Sequence, residues 1–145
     1  MQEYLRESDY VPKSKPTDLA CIYGAGHDGS GHGVRPDYSI MNQITGKTVF
    51  VELKRQRAKG NAHERACKFM MPGIVNSARR IARQGDSVIP FWWVFSNGIA
   101  SSPRYIQEIL HWFQGIEGHV LLWDDLENYV PVINHFENHI RPLLE

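Results

Sequence analysis

Apolar residues recur along this chain with three spacings, and each spacing predicts a different element. Alternation at Val49, Val51 and Leu53, facing a second short run at 37–42 across the turn QITGK, predicts a β-hairpin with strands at 37–42 and 48–54. The apolar run at 88–96 (VIPFWWVFS) is too short for a spanning helix and too apolar for an exposed edge, so it predicts a central strand covered on both faces, and HVLLWD at 119–124 predicts another buried strand. Helical spacing governs three further stretches. Ala62, Ala66, Phe69, Met70, Ile74, Ala78, Ile81 and Ala82 predict a helix over 61–84, bent or split at Pro72 and Gly73. Ile106, Ile109, Leu110 and Phe113 predict a second helix from Pro103 to about Gln114, capped by Ser101 or Ser102 after the turn at Asn97 and Gly98. Ile133, Phe136, Ile140 and Leu143 predict a third over about 131–144.

The N-terminal part is less patterned. Residues 1–18 mix charge with Pro12 and Pro16 and predict a short helix or an irregular arm; Asp18–Tyr23 is a short apolar stretch read as a strand. GAGHDGSGHG at 24–33 holds five glycines in ten residues and predicts a loop. The resulting order, strand, hairpin, helix, strand, helix, strand, helix, describes a mixed α/β layer with one antiparallel part. Trp92 and Trp93 are consecutive, so each is expected in the core on a different side of its strand rather than stacked on a base.

At 145 residues, with 42% hydrophobic and 22% charged positions, the chain is expected to fold as a single domain over 1–145. No apolar run reaches a membrane span, and MQEYLRESDY is too polar for a secretory signal, so a cytoplasmic protein without a membrane partner is expected. Cys21 and Cys67 fit no zinc spacing and are expected as free thiols. His27 and His32 flank DGSG, and a loop near phosphate is a better reading of them than a zinc site, which needs more ligands. The other histidines have no role at this stage.

Charge changes the picture through its distribution. The formal net charge is zero, yet residues 52–83 carry nine basic and two acidic side chains, while residues 84–145 carry two basic and eight acidic. Such polarity predicts one face built for phosphates. Arg55, Arg57, Lys59 and Lys68 belong to that basic segment and are candidate DNA contacts.

Three groups near its start carry candidate chemistry. Asp37 opens one hairpin strand, and Glu52 and Lys54, two apart on the next, share a face. Two carboxylates can hold a hard cation such as Mg²⁺, which polarises a phosphate oxygen, and an ammonium beside them can orient the attacking water or neutralise developing charge. A solvated ion pair would also produce E-x-K on a strand. The surrounding residues decide the matter, because RPD at 35–37 followed by VFVELK at 49–54 resembles the PD-(D/E)xK nuclease signature. That resemblance implies catalytic Asp37, Glu52 and Lys54, with Asp37, Glu52 and the intervening Leu53 as the metal set.

GNAHER at 60–65 resembles the G-N-A-x-E-R recognition element of EcoRI-like and MunI-like type II restriction endonucleases. The likeness covers about residues 34–113 and implies a restriction-endonuclease-like core, a central mixed β-sheet flanked by helices. It implies a homodimer that cuts double-stranded DNA, with Gly60, Asn61, Ala62, Glu64 and Arg65 in the major groove of an AATT-centred palindrome. An amide can bond adenine N6 and N7 together, and a guanidinium can donate to N7 or phosphate. Asn61 with Glu64 also has the form of a helix-capping box, and both roles can hold at once. The chain departs from the EcoRI-like pattern in reading PDY rather than PDGG and in placing GNAHER close behind its E-x-K. A structure-selective or repair nuclease, a DNA-binding protein without hydrolysis and a plain interaction domain are the competing classes.

Overall fold

The computed structural model describes residues 4–5, 9–14, 16, 19, 34–55 and 62–145. Five strands, β1 (Tyr10–Ser14), β2 (Tyr38–Asn42), β3 (Thr48–Arg55), β4 (Phe91–Ser96) and β5 (Val120–Trp123), lie side by side in chain order. β1, β2 and β3 are antiparallel; β3, β4 and β5 are parallel. The expected hairpin is β2–β3. Its turn closes on Gly46, whose φ of 74° suits a residue without a side chain and whose missing Cβ would sit 2.9 Å from the Arg83 guanidinium.

Parallel neighbours need a crossover, and helices supply both. Between β3 and β4 run α1 (Ala62–Ala66), a 3₁₀ turn (Cys67–Met70) and α2 (Pro72–Ile81); α3 (Pro103–Trp112) joins β4 to β5. α4 (Val130–His135), a π-helical turn (Phe136–Ile140) and α5 (Arg141–Leu144) complete the chain. The first three helices cover one face of the sheet, where Phe50, Phe91, Trp93 and Phe95 meet Phe69, Ala78, Ile109 and Phe113. The C-terminal helical run covers the other, where Val49, Val51, Trp92 and Val94 meet Val132, Phe136, Ile140 and Leu144. Trp92 and Trp93 thus divide between two cores, as alternation requires.

Several expectations need correction. The N-terminal arm contributes a strand, β1, paired along the whole of β2; its alternation is masked by Pro12 and two polar neighbours, which an edge strand tolerates. The Asp18–Tyr23 stretch lies outside the described residues except for Leu19, as do the 24–33 loop with His27 and His32, and Cys21. The helix over 61–84 is divided at Met71, with Pro72 in the first turn of α2, as Pro72 and Gly73 predicted. Met70, Ile81 and Leu110 face outward rather than into the core, and Val75 and Tyr105 take inward places. Pro103 does begin α3, but Ser102 makes no side-chain capping bond. In the C-terminal run Phe136 and Ile140 are buried as expected, while Val132 and Leu144 take the fully inward places expected for Ile133 and Leu143, which are only partly buried. Positions four apart drift by about 40° per step in a regular α-helix. The wider π turn takes up that drift and keeps Val132, Phe136, Ile140 and Leu144 on the sheet.

Candidate active site and nucleic-acid interface

The site forms where the antiparallel ladder ends and the parallel one continues. β2 pairs with β3 only as far as Tyr38↔Val51, because Pro36 has no N–H to extend the ladder. β3 runs on beside β4, through Glu52↔Trp93, Leu53↔Val94 and Lys54↔Phe95. One further step of the β2–β3 register sets Asp37 opposite Glu52. On that open edge the Leu53 N–H has no ladder partner and donates instead to Asp37 Oδ2 at 2.8 Å. A residue's N–H and C=O leave an antiparallel strand on the same side, so the Leu53 carbonyl also faces the Asp37 edge. Its side chain turns to the opposite face, against Val51, Trp92 and Val94 around a cavity of about 220 Å³.

Glu52 and Lys54 project from the same face of β3, with Lys54 Nζ 2.7 Å from Glu52 Oε1. Glu52 is only 3% exposed, and its Oε2 is buried without a hydrogen-bond partner among the described residues. Burial pushes the Glu52 carboxyl above its ordinary range; the bonded Lys54 ammonium pulls it back, the Asp37 carboxylate raises it again and Lys68 lowers it slightly. An anion that is desolvated, short of one partner and beside a second carboxylate is the environment a hard cation relieves. Asp37, Glu52 and the Leu53 carbonyl are the oxygen donors that could hold one. Among the described residues no group of three or more His, Cys, Asp or Glu side chains suits a metal, so here the two carboxylates would need the backbone carbonyl as a third donor. A cleft of about 460 Å³ opens beside Asp37, lined by Ser14, Arg35, Pro36, Tyr38 and Leu53.

α1 begins seven residues after β3 ends and carries the second half of GNAHER. Glu64 and Arg65 are exposed and form no ion pair with a described residue. His63 points inward. Lys68 is exposed, with its ammonium 5.2 Å over the Phe69 ring, and Arg55 is exposed at the end of β3. Arg57, Lys59, Gly60 and Asn61 lie outside the described residues; Ala62 opens α1.

The basic segment does not form the single face its charge suggested. Thr48 at the start of β3 bonds the Ala82 carbonyl, so the end of α2 lies beside the β3 end remote from the site. Six strand residues, about 20 Å at the usual rise, separate Thr48 from Lys54. Arg79 is occupied by the Val88 carbonyl at 2.7 Å, and Arg83 packs against Gly46. Among the described basic residues, Lys54, Arg55 and Lys68 share the site end. Sequence reasoning missed two residues there. Arg35 lies in the cleft wall beside Asp37, and its only signal was adjacency to Pro36, which holds the preceding residue extended. His63, at the one variable position of G-N-A-x-E-R, is 2% exposed.

A family model described as type II restriction enzyme MunI matches residues 1–145. The chain belongs to the MunI type II restriction enzyme family. A curated member from Mycoplasma sp, named type II restriction enzyme MunI, is 33% identical over 124 residues, 78% of this chain and 61% of its own length. The chain therefore spans about three fifths of that relative. A crystal structure of MunI restriction endonuclease in complex with cognate DNA aligns with 99% of this chain and 87% of its own, at a TM-score of 0.86 and 29% identity. The fold is accordingly that of MunI, the restriction-endonuclease-like core which RPD, VFVELK and GNAHER implied. Among the described residues no helix is long and apolar enough to cross a membrane.

Proposed function

We propose that this chain is a Mg²⁺-dependent, sequence-specific endonuclease that hydrolyses both strands of DNA at an AATT-containing palindrome, acting as a cytoplasmic homodimer. The observation that carries the reading is the convergence at the end of β3: Asp37 on the Leu53 N–H, Glu52 with one oxygen on Lys54 and the other without a partner among the described residues. Membership of the MunI family supports it, and so does the likeness to an enzyme solved on its cognate DNA.

Asp37, Glu52 and the Leu53 carbonyl would hold the cation, which supplies Lewis-acid polarisation of the scissile phosphate when bound. Lys54, fixed by Glu52 at 2.7 Å, presents an ammonium whose remaining protons can orient a water for attack or offset charge on the phosphate oxygens. Arg35, Arg55, Arg57, Lys59 and Lys68 would grip backbone phosphates and carry no sequence code. Asn61 and Arg65 would read adenines, with Gly60 and Ala62 allowing close approach and Glu64 orienting the guanidinium across the dimer. A palindrome presents identical half-sites, which a two-fold pair of chains matches with one active site per strand.

Digestion of a plasmid of known sequence with and without Mg²⁺, followed by mapping of the fragment ends, tests the reading. Double-strand ends at one A·T-centred palindrome are expected. Absence of cleavage, or ends that follow junctions or lesions rather than sequence, would overturn it.

A further inference from the structure

The AHER part of GNAHER lies in an element too short to orient itself. α1 has five residues, and helices of that length owe their geometry to tertiary contacts rather than to propensity. Two contacts hold it from below. Trp93 Nε1 in β4 donates to the Ala66 carbonyl at 3.2 Å, and His63 reaches across to α3. The His63 ring lies flat on Trp112, 4.9 Å between centroids at 7°, and meets the edge of Tyr105 at 5.0 Å and 71°. Its Nε2 is 2.6 Å from Glu108 Oε2, and since an ionised carboxylate can only accept, the imidazole donates. The other Glu108 oxygen faces Arg104 Nε at 3.4 Å.

From this geometry we infer that His63 is a positioning residue for base reading: through Glu108 and Trp112 it locks the turn that carries Glu64 and Arg65 onto α3. The inference rests on the function proposed above. Glu64 and Arg65 follow His63 directly on α1 and are exposed while His63 is buried, so the rotation of the imidazole in its slot sets where the two exposed side chains aim. The slot asks for a flat ring bearing a donor, and an aliphatic side chain of similar volume would leave both Trp112 and Glu108 without their partner. Contacts that support a recognition group need to hold it to well under an ångström, because small misplacements cost large factors in rate and selectivity.

Three variants test it, His63→Phe, Glu108→Ala and both together, each compared with wild type on an AATT palindrome and on the same DNA with one base pair changed. His63→Phe keeps a ring on Trp112 and removes the donor; Glu108→Ala removes the acceptor from a partly exposed site and leaves the core intact. Each should lower the ratio of the two single-turnover cleavage rates about tenfold, and the double variant should lose no more than either single one. Glu108→Gln, whose amide oxygen still accepts the bond, should retain the wild-type ratio. A wild-type ratio in both Glu108→Ala and His63→Phe, or an equal fall in rate on both DNAs, overturns the inference. If the wild-type chain cut no DNA, the proposed function would fall by itself. Amide exchange over 62–66 would then decide the tether: faster exchange in Glu108→Ala supports it, and unchanged exchange overturns it.

Discussion

Replacing Glu52 by Gln separates a catalytic carboxylate from a structural ion pair, because the two readings predict opposite changes in stability. Glu52 is buried, one oxygen lacks a described partner, and its carboxyl is pushed above the ordinary range chiefly by that burial. A carboxyl raised in the folded state contributes stability that is complete below its unfolded pKa and lost as pH rises through the folded value. At neutral pH the ionised side chain is therefore a net cost. The amide of Glu52→Gln keeps the shape and still accepts from Lys54, but carries no charge to desolvate. Relief of one under-satisfied buried charge, less the weakening of the Lys54 bond, is expected to leave the apo protein unchanged or more stable by about 1 kcal/mol. For a chain of this size that is roughly 2–4 °C in Tm. Mg²⁺ should reverse the order: a ligand at one hundred times its Kd adds about 2.7 kcal/mol to the protein that binds it. The assay is a pair of thermal melts, with EDTA and with Mg²⁺, beside cleavage of the mapped site. Wild type should gain stability with Mg²⁺ and cut; Glu52→Gln should start level or higher, gain little and cut at a small fraction of the wild-type rate. A fall of several degrees in EDTA would refute the reasoning, because it would make Glu52–Lys54 a stabilising pair.

Lys54→Met should fold, bind the palindrome and lower the single-turnover rate by two orders of magnitude or more, about the worth of a positioned acid–base or electrostatic group, measured at saturating protein. Arg35→Ala should weaken binding to all sequences alike and reduce the slope of log affinity against log salt by about one, read by titration at several salt concentrations. Asn61→Ala should instead erode discrimination by about 1–3 kcal/mol per changed base, seen as cleavage spreading to near-cognate sites. Burial first, and then neighbouring His139, depress His135 from 6.5 to about 4. Its neutral form is thus favoured by folding, so stability should be complete above 6.5 and fall as pH drops towards 4, by at most about 1.4 kcal/mol per unit for one proton. Urea midpoints at pH 7, 6 and 5 should show this slope in wild type, and a flatter one in His135→Gln.

Much of this protein is local, and local features are legible in sequence. Alternation at Val49, Val51 and Leu53 determined the hairpin strand; apolar runs determined β4 and β5; Pro72 marked the division of one helical stretch and Pro103 the start of another. Each follows from backbone sterics or from a period of burial, and neither depends on distant residues. The candidate chemistry was local too. Glu52 and Lys54 share a face because they are two apart on a strand, and Asp37 was within one hairpin of them.

What the tertiary structure decided are the places where a distant partner overrides the local pattern. β1 exists because the β2 edge offers it five register partners, not because YVPKS alternates cleanly. In the C-terminal stripe Phe136 and Ile140 stand as expected, but Val132 and Leu144 replace Ile133 and Leu143 because the sheet demanded a straight row, at the expense of regular α-helical geometry. The basic segment is contiguous in sequence yet divided between the two ends of β3, since a helix that returns along a strand carries its last residues back to where the strand began. His63 carried no signal of its role, because Glu108 and Trp112 stand more than forty residues away and only the packing of α1 on α3 brings them together. Composition and period act along the chain, whereas a pairing across the fold depends on which faces meet, and that is settled only when the sheet and its helices close around one another.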